Sequence, residues 1–215
     1  MSGVTWLALV ALALAVAAAC ASRASRGASA SHAERAAQRL DDPARDAWQR
    51  PDDVVCALEL TSGMTVADVG AGTGYFAVRL ARAVPQGEVL ASDIDPDMVR
   101  YLEDRARREH LANLRAIRAT PTSSGLAVRS VDAILVVHVW HHIADRAAYA
   151  RDLAAALRPG GKLLVVEFSL DAHRGPPANM RLAPETVVAD FAAVGLAAKV
   201  VASALPDQYL VEARR

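Results

Sequence analysis

Two acids, three glycines and three histidines of this chain stand at spacings that could do chemistry. Asp68 lies in an apolar run and is followed by Gly70, Ala71, Gly72, Thr73 and Gly74. Such a turn lets the backbone bend tightly and approach a ligand at distances where a Cβ would clash. Asp93 comes nineteen residues after Gly74, at the end of the next apolar run. A carboxylate there can accept hydrogen bonds from two adjacent hydroxyls, as on a ribose. His138, His141 and His142 follow the most apolar stretch of the chain. An imidazole titrates near working pH, so each could take a proton or contact a substrate, and His141 is the preferred candidate. Each also has a plainer reading: a ligand-free turn, a solvated acid, a structural hydrogen-bonding ring.

Strands alternating with helices must position these groups. Met64–Val69 reads as a strand, Tyr75–Val84 as a helix, Glu88–Ser92 as a strand and Asp97–Glu109 as an amphipathic helix. Leu114–Ile117 and Val131–Val137 read as strands, the second apolar enough to be buried on both faces. A helix over Arg146–Leu157 stops at Pro159-Gly160-Gly161, and a strand over Leu163–Phe168 follows. Pro184–Val194 is a last helix, with strands near Ala197–Val201 and Gln208–Val211. Before all of these, helical patterns cover His32 to Leu40 and Val54–Leu60. The alternation implies right-handed crossovers and a mostly parallel sheet covered on both faces.

Composition narrows the function classes. The chain has 215 residues, 53% hydrophobic and 22% charged, with no formal net charge. That is one domain's worth of chain with no basic footprint, so a small-molecule or protein substrate is expected, a small molecule foremost, and nucleic acid is not. The two cysteines, Cys20 and Cys56, make neither a disulfide framework nor a zinc site, and Cys56 reads as a small buried hydrophobe. The three histidines have a helix-face spacing, but their segment leaves a strand and shows no obvious carboxylate partner, so no metal is expected.

The glycine spacing excludes a dinucleotide fingerprint, whose last glycine would fall at Tyr75. Asp68 followed by Gly-x-Gly-x-Gly resembles motif I of class I (Rossmann-like) S-adenosylmethionine-dependent methyltransferases. Asp93 and the turn Leu157-Arg158-Pro159-Gly160-Gly161-Lys162-Leu163 resemble the same family. The resemblance covers about Asp42 to Val211. Within the class it is similar to a bacterial subgroup with an Arg-Asp-x-Trp-Gln-x-Pro lead-in, here Arg45-Asp46-Ala47-Trp48-Gln49-Arg50-Pro51.

The resemblance implies an α/β, Rossmann-like three-layer sandwich with a mostly parallel seven-stranded sheet. It implies S-adenosylmethionine as cofactor, held by Asp68, Gly70, Ala71, Gly72, Thr73 and Gly74, by Asp93 and Ile94, by Thr120, and by Val137. Thr120 takes a place where many relatives have an acid for the adenine amino group; none is present in Arg118–Ser124. Methyl transfer would occur beside the fourth strand's exit, with His141 as the candidate base. Trp140 could wall the cofactor or simply pack, and Trp48 could cover the substrate or anchor a helix.

Residues 1–21 read as a hydrophobic signal or membrane anchor, 22–31 as a linker, and 32–215 as the methyltransferase domain, with 32–63 a helical lead-in. The apolar run Val4 to Ala21 is followed, not preceded, by arginines, which favours an anchor with a cytoplasmic domain. Its ending Ala17-Ala18-Ala19-Cys20 resembles a lipoprotein signal lipidated at Cys20, so export is the alternative. Membrane association is common to both. Two functions remain in play: an active methyltransferase on an unidentified small molecule, and a membrane-tethered SAM-binding module without catalysis.

Overall fold

β-branched and leucine residues in short runs build the sheet, and the helices between them cover it. The computed structural model describes residues 32–215. The expected signal or anchor, Cys20 and the linker lie outside those residues. Among the described residues, no helix is long and apolar enough to cross a membrane.

The strands are β1 (Thr65–Val69), β2 (Glu88–Asp93), β3 (Leu114–Arg118), β4 (Val131–Val137), β5 (Leu157–Phe168), β6 (Ala197–Val201) and β7 (Gln208–Arg214). They form one seven-stranded sheet in the order β3-β2-β1-β4-β5-β7-β6. β1 to β5 run parallel, while β7 is antiparallel to both β5 and β6. The order reverses between β1 and β4, and ligands of such sheets bind at the carboxyl ends there.

Helices α1 (His32–Leu40), α2 (Asp46–Gln49) and α3 (Pro51–Ala57) precede the sheet. They are followed by α4 (Tyr75–Ala83), α5 (Pro96–Arg108), α6 (Arg146–Ala156) and α7 (Pro184–Ala192). Strand alternation sends Val66, Leu135 and Leu164 to one face, against Val54, Leu80 and Leu102 of α3, α4 and α5. Ala67, Ile134 and Val165 go to the other face, against Leu153 of α6 and Phe191 of α7. This is the expected three-layer sandwich. α1 is an addition outside it: Ala33 and Ala36 pack on Met98 of α5.

Most expected elements sit within a few residues of their observed ends. Asp95 caps α5, accepting Asp97 N at 2.8 Å, and Pro96 opens the helix. α3 starts three residues earlier than the pattern suggested, because Pro51 is preorganised for a first helical position. Cys56 lies two positions from both core-facing Val54 and Leu58, on the opposite side of the helix, so the thiol is exposed, not buried as expected. The Pro-Gly-Gly turn is an excursion within β5: Val131 pairs with Leu157, yet Ala133 pairs with Lys162. Trp140 is fully buried against Phe191, with ring centroids 4.6 Å apart, and its Nε1 donates to Asp190 Oδ2 at 2.9 Å. It packs the core and does not wall a ligand.

Candidate active site

The turn leaving β1 is bound to the end of β2. Gly70 N and Ala71 N donate to Ser92 O at 2.8 and 3.0 Å, and Gly72 N donates to Asp93 Oδ2 at 2.7 Å. Asp93 Oδ1 accepts Asp95 N at 2.9 Å. Gly70 has φ +73°, and a Cβ there would meet Val139 Cγ2 at 2.3 Å. Glycine is thus required twice at that position, for its backbone and for its bareness. Gly74, at φ +90°, lies at the start of α4 against Leu102, behind the turn.

Two cavities meet at Gly70 and Val139. The outer one, about 340 Å³, is lined by Asp93 and Ile94, by Thr120 and Pro121, and by His142 and Ile143. The inner one, about 200 Å³, is lined by Asp68, Ala71, Gly72, Thr73 and Val137, and also by Arg45 and His138. Gly74 and His141 line neither cavity. The other predicted cofactor residues therefore come together, while Gly74 shapes the turn from behind.

Asp68 is the most unusual group. Its Oδ2 is sealed from solvent and has no hydrogen-bond partner. Burial, and secondarily the charge of Asp93, raises its carboxyl to about 7. A buried acceptor left unpaired is costly unless a ligand completes it.

The lead-in segment closes over this turn. Thr73 Oγ1 donates to Asp41 Oδ1 at 2.9 Å, and Arg105 joins Asp41 Oδ2 to Thr73 O at 3.0 and 2.9 Å. The Arg45 guanidinium lies 3.9 Å from the Tyr75 ring centroid and donates to Leu40 O. Trp48 is half-buried, its ring 6.1 Å from His138 and 6.0 Å from Phe168. Trp48 anchors α2 to the fold through these rings and borders His138.

The fourth strand's exit carries the histidines. His141 Nδ1 donates to Glu167 Oε2 at 2.8 Å, and its amide donates to Oε1 at 3.2 Å, with both side chains 3% exposed. This is the carboxylate partner that sequence reasoning missed. Glu167 is 26 residues away, and its buried position in an apolar strand was the only clue. No group of residues capable of holding a metal occurs among the described residues. His138 stacks on Phe168 with centroids 4.1 Å apart and accepts a left-handed backbone, φ 56°. Burial first, then the nearby Arg45 charge, lowers its imidazole to about 3, so it is neutral. His142 is lowered for the same first reason, with His141 beside it.

The residues fit S-adenosylmethionine. A bare glycine turn, an orphaned buried carboxylate at one end and a hydroxyl-accepting carboxylate at the other suit an aminoacid–ribose–adenine ligand. The fold is the Rossmann-like one of class I S-adenosylmethionine-dependent methyltransferases, and the turn has the residues that their cofactor suits.

Comparison with known proteins agrees. The family described as "Methyltransferase domain" matches residues 66–161. A solved S-adenosylmethionine-dependent methyltransferase from Aquifex aeolicus superposes with a TM-score of 0.77 and 25% identity, covering 82% of this chain and 95% of that one. The ubiquinone/menaquinone biosynthesis C-methyltransferase UbiE of Pseudomonas putida is 29% identical over 157 residues, 72% of this chain and 59% of that protein. UbiE of Edwardsiella ictaluri is 32% identical over 109 residues, 50% of this chain and 43% of its own. The chain thus spans between two fifths and three fifths of these two curated relatives.

Proposed function

We propose that this chain transfers a methyl group from S-adenosylmethionine to a small-molecule acceptor. The observation that carries the proposal is the unpaired, buried Asp68 Oδ2 beside a glycine turn that Asp93 closes from the next strand. Asp68 would face the cofactor's aminoacid end, and Asp93 with Ile94 its ribose. Thr120 and Pro121 border the adenine side.

When bound, the cofactor supplies an electrophilic methyl group on a good leaving group. The protein's part is to align a nucleophile and relieve it of its proton. His141 is the candidate for that proton: Glu167 fixes its hydrogen on Nδ1, but the ring is buried behind the cavities and would have to reach the acceptor across their wall. That the UbiE relatives are named as C-methyltransferases of quinone biosynthesis favours an aromatic acceptor here as well.

Calorimetry with S-adenosylmethionine and S-adenosylhomocysteine tests the reading. Micromolar binding, followed by transfer of labelled methyl to an acceptor, supports it. A folded protein that binds neither compound overturns it. Binding without transfer to any acceptor screened would instead favour a SAM-binding module.

Membrane attachment is part of the proposal, supported by the apolar run Val4 to Ala21. A cytoplasmic orientation is favoured by Arg23 and Arg26 after that run, and by the cytoplasmic supply of the cofactor. A reporter enzyme fused after Ser31 and active only outside the inner membrane would reverse the orientation.

A further inference from the structure

Four polar side chains next to the inner cavity form a chain whose hydrogen positions have one consistent solution. The arginine end has donors only, so Gln49 must turn its oxygen to it: Arg45 Nε and Nη2 lie 3.4 and 3.2 Å from Gln49 Oε1. Gln49 Nε2 then donates to Gln208 Oε1 at 2.7 Å. Gln208 is fixed independently, because its Nε2 donates to the Trp48 carbonyl oxygen at 3.1 Å. Its Oε1 therefore accepts on both sides, and His138 Nε2, 2.9 Å away, must carry a hydrogen.

Neutral imidazole has one hydrogen, so His138 Nδ1 is a bare lone pair. It has no partner among the described residues, and His138 lines the inner cavity next to Val137 and Gly70. Its positive φ departs from ordinary backbone preference for a non-glycine residue, as happens where surrounding structure holds a group in place. Gln49 is fully buried and Gln208 nearly so. Two buried amides, themselves held by Arg45 and the Trp48 carbonyl oxygen, fix the hydrogen of one neutral ring and so act as a positioning device.

We infer that His138 Nδ1 accepts a hydrogen bond from a hydroxyl of the methyl acceptor, so that the acceptor is a planar hydroxylated compound, an aryl alcohol or enol, entering with that hydroxyl protonated. Gln208 and Gln49 are positioning residues that hold the ring in this tautomer. The rings of Trp48, Phe168 and His138 cluster with centroids 4.1 to 6.1 Å apart, an aromatic wall that suits a flat acceptor. His138 orients the hydroxyl without keeping its proton, since burial and Arg45 make the ring too weak a base. The inference rests on the methyltransferase reading, but its first readout is independent of turnover.

The test is nitrogen NMR on full-length protein in detergent, labelled with ¹⁵N-histidine. His138 is assigned among the six histidines with the His138→Asn variant. The expected result is a neutral ring with its hydrogen on Nε2 from pH 5 to 8. A hydrogen on Nδ1, or titration near the ordinary histidine value of about 6.5, overturns the inference.

Hydroquinone is then added to protein loaded with S-adenosylhomocysteine, with its dimethyl ether as control. Hydroquinone should move the Nδ1 resonance and the ether should not. Equal shifts, or none, overturn the acceptor assignment. Gln208→Leu should leave S-adenosylhomocysteine affinity within about twofold while weakening hydroquinone at least about fivefold, the scale of one hydrogen bond. Unchanged hydroquinone affinity removes the positioning role. Failure to bind S-adenosylhomocysteine at all would instead count against the methyltransferase reading, with the tautomer result still standing.

Discussion

Asp93 grips the glycine turn from the adjacent strand: its Oδ2 accepts Gly72 N at 2.7 Å while its Oδ1 accepts Asp95 N at 2.9 Å. The same carboxylate thus shapes the turn, holds the Asp95 cap of α5 and borders the outer cavity. Its remaining lone pairs are what a ribose would use. Replacing Asp93 with alanine should weaken S-adenosylmethionine at least about tenfold, or 1.4 kcal/mol. Calorimetry checks this, and affinity equal to that of the parent protein would remove Asp93 from the cofactor site.

Asp68 makes cofactor affinity depend on pH. Its folded value, about 7, lies above the ordinary 3.8, so the native state holds a proton that the unfolded chain releases. That contribution to stability is present at low pH and fades as pH rises through 7. A cationic ligand needs the ionised form, so affinity should move oppositely and be roughly tenfold weaker at pH 6 than at pH 8. Asp68→Asn should flatten the profile. Equal affinities of the parent protein at both pH values would contradict the assignment.

His138 has the reverse linkage. Its folded value is lowered to about 3, so the unfolded chain takes up the proton first. Stability from this residue is complete above pH 6.5 and declines as pH falls towards 3. Denaturant titrations of His138→Asn and the parent protein should diverge above pH 6.5 and converge on acidification. A constant difference between the two proteins would show that the ring is not buried neutral.

Glu167→Gln should strike the proton-accepting step. The amide can donate to His141 Nδ1, which moves the ring hydrogen to Nε2 and removes the available lone pair. Turnover should drop roughly a hundredfold, with S-adenosylmethionine affinity unchanged. Turnover equal to that of the parent protein would remove the pair from the reaction.

Phe191 tests the far layer of the sandwich. It is fully buried against Trp140, so Phe191→Ala should cost about 3–5 kcal/mol. Urea unfolding measures it, and a loss below about 1 kcal/mol would mean that α7 packs loosely.

Much of this was legible beforehand, because the signals were local. Alternating strands and helices have their own periodicities, and the glycine turn, Asp93 and the Asp95-Pro96 cap each depend on near neighbours. What stayed hidden depended on distant ones. Glu167 resembles any polar residue in a strand until the sheet brings it to His141. Cys56 was misread because an apolar run on a helix still puts the residue two positions from a core-facing one on the far side. Thr120, expected in place of the acid missing after β3, does stand at the cavity wall.

The bond between Gln49 and Gln208 joins residues 159 positions apart. On a ribosome, α2 emerges early and must wait for nearly the whole domain before its partner strand exists. The cofactor turn, by contrast, needs only β1, β2 and the start of α5. A nascent chain can close that turn well before His138 is locked, while both cavities wait for the segment leaving β4. Methyl transfer to a correctly oriented acceptor would then be a property of the finished chain alone.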